Sequence, residues 1–98
     1  MKLKNKIMKK VSCIIPAYNE GERIEKILNI IIGHPLIYEI IVIDDGSKDN
    51  TKEIIEKFEG ITFIKHEKNQ GKSISVYDGI VKATGEYILM LDADLIGL

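Results

Sequence analysis

The sequence contains one cysteine, Cys13, and no apolar run long enough to cross a bilayer. A single thiol argues against a disulfide framework and for a reducing compartment, so we expect a cytoplasmic protein. The longest apolar stretch, residues 27–32, is interrupted by Asn29, whereas a membrane span needs roughly 20 residues. The formal net charge of −1 gives no general attraction to nucleic acid, and we predict no nucleic-acid partner.

What is present is one small globular chain with a basic start. The 98 residues are 45% hydrophobic and 30% charged, as in ordinary globular domains. Five lysines lie in residues 1–10, which we interpret as a flexible basic tail preceding the domain at residues 11–98. The alternative is that this tail contacts an anionic membrane surface, which would place the protein at the cytoplasmic face of a membrane.

Apolar runs alternate with stretches of helical periodicity along the whole chain. The runs are residues 11–17, 39–44, 61–65 and 87–91. Between them, apolar residues recur at helical spacing, as Ile24, Ile27, Leu28 and Ile31 do. The βαβαβαβ order predicts an α/β fold: a three-layer, Rossmann-like parallel sheet with right-handed crossovers.

The predicted helices carry start signals and apolar faces. Asn19 and Asn50 are each followed three residues later by a glutamate, which is the spacing of a capping box. Four apolar residues at helical spacing form one face of the third helix. These are Ile74, Tyr77, Ile80 and Val81.

The fourth strand should lie beside the first, where it would leave an uncovered apolar edge. Such an edge is a pairing hazard. We therefore expect the chain to be part of a longer protein, and to self-associate through this strand when isolated.

Two acidic pairs follow predicted strands. Asp92 and Asp94 are two residues apart, so in a strand they point to the same face, and Asp44–Asp45 close the second strand. Because parallel sheets bind ligands beyond the carboxyl ends of their strands, we expect one polar site built from both pairs. Asp92 and Asp94 suit Mg²⁺ or Mn²⁺ bound together with phosphate, and the alternative is two solvated loop acids.

Residues in three segments could bind a nucleotide. Tyr18 and Glu20 follow the first strand and offer a ring, a hydroxyl and acceptors for a base or ribose; they could equally form a strand-to-helix turn. Asp45 could take a base or ribose hydroxyl, or be part of a turn. Lys72 at a helix start could bind phosphate, or lie in a solvated loop. His34 and His66 are expected on the surface.

Four segments in this order resemble glycosyltransferase family 2, most closely its dolichyl- or polyprenyl-phosphate sugar synthases. They are "VSCIIPAYNE", "EIIVIDDGSKDNT", "KNQGKS" and "LMLDAD". The resemblance implies the nucleotide-binding half of an A-type glycosyltransferase fold, with a UDP- or GDP-sugar as donor. It also implies transfer to an acceptor such as a polyprenyl phosphate, with a catalytic base expected beyond Leu98.

The resemblance also implies roles for individual residues. Five match positions that hold the nucleoside: Pro16, Tyr18, Glu20, Ile43 and Asp45. Asp92, Ala93 and Asp94 match the motif that holds the metal and the diphosphate.

Two other interpretations remain open at this point. Receiver-type signalling domains also gather acids at the carboxyl ends of parallel strands, with one Asp accepting a phosphoryl group. A non-catalytic interaction module would instead use the exposed fourth strand to pair with another chain.

Overall fold

The computed structural model describes residues 9–93, and its strands and helices alternate along the chain as predicted. The elements are β1 (Val11–Ala17), α1 (Gly21–Ile31), β2 (Glu39–Asp44), α2 (Thr51–Glu56), β3 (Thr62–Lys65), α3 (Lys72–Lys82) and β4 (Tyr87–Met90). The strands form one parallel sheet in the order β3-β2-β1-β4, with apolar clusters on both faces. The predicted three-layer α/β fold is confirmed.

The strand register brings several carboxyl ends to one rim of the sheet. Ala17 at the end of β1 lies opposite Asp44 at the end of β2, and Asp44 lies opposite Lys65. The chain continues past β4 along β1, where the Leu91 N–H donates to the Ile14 carbonyl at 3.0 Å. The segments that follow β1, β2, β3 and β4 therefore leave from the same end of the sheet, as ligand binding in such folds requires.

Helices α1 and α2 cover one face of the sheet with a continuous apolar core. From α1 come the four residues predicted by helical spacing, Ile24, Ile27, Leu28 and Ile31, each at most 7% exposed. They share one cluster with the side chains that β1 and β2 direct to this face: Cys13, Ile15, Ala17, Ile40 and Val42. Burial of this much apolar surface makes this face the main source of the fold's stability.

Helix α3 covers the other face through small residues, and the predicted apolar face of α3 is not buried. Its buried residues are Ser75 and Gly79. A Cβ at Gly79 would lie 2.6 Å from Ile14 Cγ2 and 2.9 Å from Ile43 Cδ1, so the helix backbone lies directly on the sheet. This close approach turns the larger side chains outward. They are 44–66% exposed: Ile74, Tyr77, Ile80 and Val81.

Within the part of the chain that the structure describes, strand β4 is an exposed apolar edge of the sheet, as predicted. It pairs with β1 on one side, and its four side chains are 40–50% exposed. Among residues 9–93, no helix combines the length and the apolar character that crossing a membrane demands.

The predicted capping boxes are wrong in detail. Helix α1 begins at Gly21, and Asn19, at a φ of 52°, uses its Oδ1 to accept a hydrogen bond from the Lys48 N–H at 2.8 Å. Asn50 does precede α2, but its side chain makes no capping bond. Asp49 Oδ1 accepts the Thr51 N–H instead, at 2.9 Å. Asn19 therefore joins two loops rather than starting a helix.

Candidate functional site

A cleft of about 260 Å³ opens at the carboxyl ends of β1 and β2. Six of the predicted site residues line it: Pro16, Tyr18, Glu20, Asp45, Lys72 and Asp92. They come from the end of β1, from the segments that follow β1, β2 and β4, and from the start of α3. The acids from separate strands thus meet at one rim, as the strand-end pattern predicts.

The remaining predicted site residues are placed differently. Ile43 and Ala93 are fully buried in the two apolar clusters and do not line the cleft. Their assignment to the nucleotide site stays a prediction. Asp94, the second predicted metal ligand, lies outside the described residues.

The loop after β1 is attached to the loop after β2, and this attachment presents Tyr18 and Glu20 to the cleft. The Asn19 N–H donates to Ser47 Oγ at 2.8 Å, and the Glu20 N–H donates to Thr51 Oγ1 at 2.9 Å. Tyr18 is 40% exposed, so its ring is available to a ligand. The Glu20 carboxylate lies 3.8 Å from the guanidinium of Arg23.

Asp45 is buried, and both of its carboxylate oxygens accept hydrogen bonds. Oδ1 lies 2.8 Å from His66 Nδ1 and accepts the Gln70 N–H at 2.8 Å, while Oδ2 accepts the Gly71 N–H at 2.9 Å. Burial by itself would raise the pKa of Asp45, but the bonds from His66 and the two backbone amides lower it below the ordinary value. Asp45 is therefore an anion that anchors the β3–α3 loop (residues 66–71) beside the cleft.

Gly46 allows the β3–α3 loop to lie close against the end of β2. Its φ is 77°, and a Cβ there would lie 2.6 Å from both Asn69 N and Lys68 C. Any other residue would push the loop away. The absence of a side chain at Gly46 thus leaves room for the same loop that Asp45 holds by hydrogen bonds.

Lys72 and Asp92, predicted to bind phosphate and metal respectively, form an ion pair with each other. The cleft lining includes three carboxylates, from Glu20, Asp45 and Asp92, against the single ammonium of Lys72. A diphosphate entering this cleft would meet an excess of negative charge. It would need a further cation there, or a rearrangement of the Lys72–Asp92 pair.

The described residues of the cleft fit a divalent cation that is held jointly by the protein and a phosphate. Within residues 9–93, no three or more His, Cys, Asp or Glu side chains gather into a group that could hold a metal by themselves. Asp92 nevertheless places a partly exposed carboxylate on the cleft. Mg²⁺ and similar hard ions are commonly held by one or two carboxylates with substrate phosphates and water completing the shell.

His66, expected on the surface, is only 6% exposed and lies between two carboxylates. Its partners are Asp45 and Asp78. Asp78 was not among the site residues predicted from the sequence. The signal that could have found His66 is its position directly after β3, at the same rim where Asp45 follows β2. The cleft also includes Asn69 and Gly71 from the β3–α3 loop.

Comparison with known proteins decides the family. The model of glycosyl transferase family 2 matches residues 12–96. The chain belongs to glycosyl transferase family 2. The predicted resemblance is confirmed, and the receiver-type alternative has no support.

The relatives are glycosyltransferases of greater length. A dolichyl-phosphate beta-glucosyltransferase of Trichomonas vaginalis is 39% identical over 94 residues, covering 83% of this chain and 28% of the relative. A mannosyltransferase of Pyrobaculum calidifontis, solved with GDP-Man and Mn²⁺, superposes with a TM-score of 0.81 at 27% identity, covering 88% of this chain and 28% of that one. Glucosyl-3-phosphoglycerate synthase of Mycobacterium tuberculosis, solved with UDP, gives a TM-score of 0.80 at 26% identity, covering 95% and 36%.

Proposed function

We propose that this chain is the nucleotide-diphospho-sugar-binding part of a metal-dependent glycosyltransferase. The observation that carries the proposal is the single cleft that collects predicted site residues from three strand ends. The relatives solved with GDP-Man and with UDP support a nucleotide donor of this kind. The chain spans 28% of the first relative's length, so transfer itself is proposed for the longer protein.

The nucleoside would occupy the part of the cleft beside Pro16, Tyr18 and Glu20. The exposed Tyr18 ring offers a stacking surface, and Glu20 offers acceptors for a base N–H or ribose hydroxyl. Asp45 lines the same cleft, but its oxygens already accept bonds from the β3–α3 loop. It would therefore act on the nucleoside chiefly by holding that loop in place.

The diphosphate would lie near Lys72 and the first turn of α3. Lys72 opens this 11-residue helix, and the backbone N–H groups of a helix N-terminus favour an anion. The ion pair with Asp92 would then be exchanged, with the Lys72 ammonium turning to phosphate. This exchange couples the arrival of the diphosphate to the release of the Asp92 carboxylate.

Asp92 and Asp94 would hold Mg²⁺ or Mn²⁺ between the protein and the diphosphate, with Ala93 between them in the motif. When bound, the ion would offset the charge that develops on the departing nucleoside diphosphate. The relative solved with GDP-Man and Mn²⁺ supports a divalent ion. Once released from Lys72, the Asp92 carboxylate would be available as a ligand of this ion.

For the acceptor we propose a lipid phosphate such as a polyprenyl phosphate, met at the cytoplasmic face of a membrane. The support is the relative named for dolichyl phosphate and the five lysines of residues 1–10. Lys9 and Lys10 are exposed and lie over the rings of Tyr87 and Tyr38. Sedimentation with anionic phospholipid vesicles, at low and at high salt, tests this membrane contact.

A second candidate role, self-association, is favoured by β4. We infer that the free edge of β4 pairs with β4 of a second copy, because the backbone groups of an edge strand are self-complementary. The substitution Ile88→Lys would oppose this pairing, because it places a charge on the edge strand. Light scattering over a range of concentrations tests it, and a clean monomer at high concentration would contradict the inference.

Calorimetric titration with UDP-glucose and GDP-mannose, with and without Mn²⁺, tests the main proposal. We expect binding of at least one nucleotide sugar that strengthens with Mn²⁺, and loss of this strengthening in Asp92→Asn and Asp94→Ala. Glu25→Gln removes an exposed carboxylate of α1 and is the matched control. Binding that ignores both Mn²⁺ and the two aspartate variants would contradict the proposal.

A further inference from the structure

His66 occupies a buried position where three elements meet. It follows β3 directly, its N–H donates to the Asp44 carbonyl at 2.9 Å, and its ring is 6% exposed. One ring nitrogen faces Asp45 at the end of β2, and the other faces Asp78 of α3. The side chain therefore joins β2, β3 and α3 beneath the wall of the cleft.

The two contacts of the ring favour its doubly protonated form. Nδ1 lies 2.8 Å from Asp45 Oδ1, and Nε2 lies 2.7 Å from Asp78 Oδ2. A carboxylate can only accept, and a neutral imidazole has a single N–H, so both contacts are hydrogen bonds only when the ring is a doubly protonated imidazolium. His66 is thus placed as a cation between two anions.

The same Asp45 carboxylate holds the backbone of the β3–α3 loop. It accepts the Gln70 N–H at 2.8 Å and the Gly71 N–H at 2.9 Å. Gly71, at a φ of 102°, leads directly into Lys72 at the start of α3. A displacement of Asp45 would therefore move the part of the loop that lines the cleft.

We propose that His66 is a positioning residue for the cleft, which as an imidazolium fixes Asp45 and, through it, the backbone at Gln70–Gly71 and the ammonium of Lys72. This inference rests on the proposed nucleotide-sugar binding insofar as Lys72 contacts the diphosphate. The contacts that define it lie within the protein and can be measured without a ligand.

The charges around His66 make this arrangement dependent on pH. Among the described residues, Asp45 faces the ring from the end of β2 and Asp78 faces it from α3, while Lys65 and Glu67 on either side along the chain are exposed. The bond to Asp45 is the largest influence and raises the pKa of His66; burial opposes it, and the bond to Asp78 adds to it. The positioning is therefore complete below the ordinary histidine pKa and is lost as the pH rises through the raised one.

The first experiment needs no ligand. NMR titration of the full chain should give His66 a pKa above the ordinary histidine value, and the protection factors of the Gln70 and Gly71 amides, taken against intrinsic exchange rates at each pH, should fall as His66 loses its proton. In His66→Gln both amides should exchange rapidly at every pH, whereas His34→Gln should match the wild type. Asp78→Asn should lower the pKa of His66 and show an intermediate effect. Unchanged protection of both amides in folded His66→Gln would overturn the proposal.

The second experiment separates this inference from the proposed function. In the wild type, the affinity for UDP-glucose or GDP-mannose with Mn²⁺ should fall as pH rises through the pKa of His66. His66→Gln should bind about tenfold more weakly at low pH, a size typical of residues that orient ligand-binding groups, and should lose this pH dependence. Wild-type affinity and an unchanged pH profile in His66→Gln would overturn the positioning role. If the wild type binds neither sugar nucleotide, the proposed function fails, and the amide exchange still decides whether His66 fixes the loop.

Discussion

The two faces of the sheet are built in different ways. Under α1 and α2, large apolar side chains interlock in one continuous cluster. Under α3 the buried apolar residues of the sheet are Ile14, Ile41 and Ile43, and the helix meets them with Ser75 and Gly79. Apolar burial therefore holds the first face, whereas close backbone approach and the Asp45–His66–Asp78 contacts hold α3 in place.

This difference explains why the cleft includes the start of α3. A helix held by small residues and a few polar contacts can shift without exposing a large core, whereas α1 cannot. The polar groups that would meet the diphosphate lie at the start of the helix that buries fewer apolar side chains. The first face supplies the rigid support for the loop that carries Tyr18 and Glu20.

The largest expected effect is on the densely packed face. Leu28→Ala removes a fully buried side chain of α1 and should lower the free energy of unfolding by about 2–5 kcal/mol. Ile30→Ala, on the same helix but 64% exposed, should change it by less than about 0.5 kcal/mol. Urea denaturation followed by circular dichroism measures both. Equal losses would show that α1 is not buried on one side only.

A smaller effect on the free energy of unfolding is expected at the rim of the sheet, where hydrogen bonds rather than apolar contacts hold the loops. Asp49→Ala removes the acceptor for the Thr51 N–H and should cost about 1 kcal/mol, whereas Asn50→Ala should cost less because its side chain makes no capping bond. Denaturation of the two variants at pH 7 compares them directly. The reverse order would restore Asn50 as the cap that the sequence suggests.

The contribution of Asp49 should also depend on pH. Burial would raise its pKa, but hydrogen bonds from the Thr51 side chain and backbone lower it overall. The stabilisation is therefore present above the unfolded-state pKa of about 3.9 and is lost as the pH falls through the lower folded-state value. The difference between wild type and Asp49→Ala should shrink over that range, and a constant difference would contradict the assignment.

The smallest effect on stability is expected on the outer side of α3. Tyr77 is 66% exposed, so Tyr77→Ser should change the free energy of unfolding by less than about 0.5 kcal/mol at low protein concentration. If copies also meet through this surface, the variant should weaken self-association measured by light scattering. A large loss of stability in the monomer would mean that this side of α3 is packed after all.

The sequence predicted the local and periodic features well, because they depend on residues close together in the chain. The chain order of strands and helices and the four inward positions of α1 follow from side-chain periodicity. The strand-end rule also placed Asp45 and Asp92 at one cleft, together with Tyr18, Glu20 and Lys72. The metal ligand Asp94 stays a prediction because it lies outside the described residues.

The orientation of α3 and the role of His66 could not be predicted in the same way. Apolar periodicity indicated one side of α3, but a sheet surface that admits the helix backbone at Gly79 selected another. Asp78 and Asp45 are 33 positions apart in the numbering, and only the fold brings both to His66. No local pattern contains that information.

By itself, the sequence determined the order of strands and helices along the chain, the buried face of α1 and the strand ends at which polar residues gather, because each depends on short-range periodicity. Only the tertiary structure decided which side of α3 is buried, which oxygens of Asp45 are occupied and what lies on either side of His66. Those outcomes depend on how closely separate segments approach one another, and that distance is a property of the packed chain.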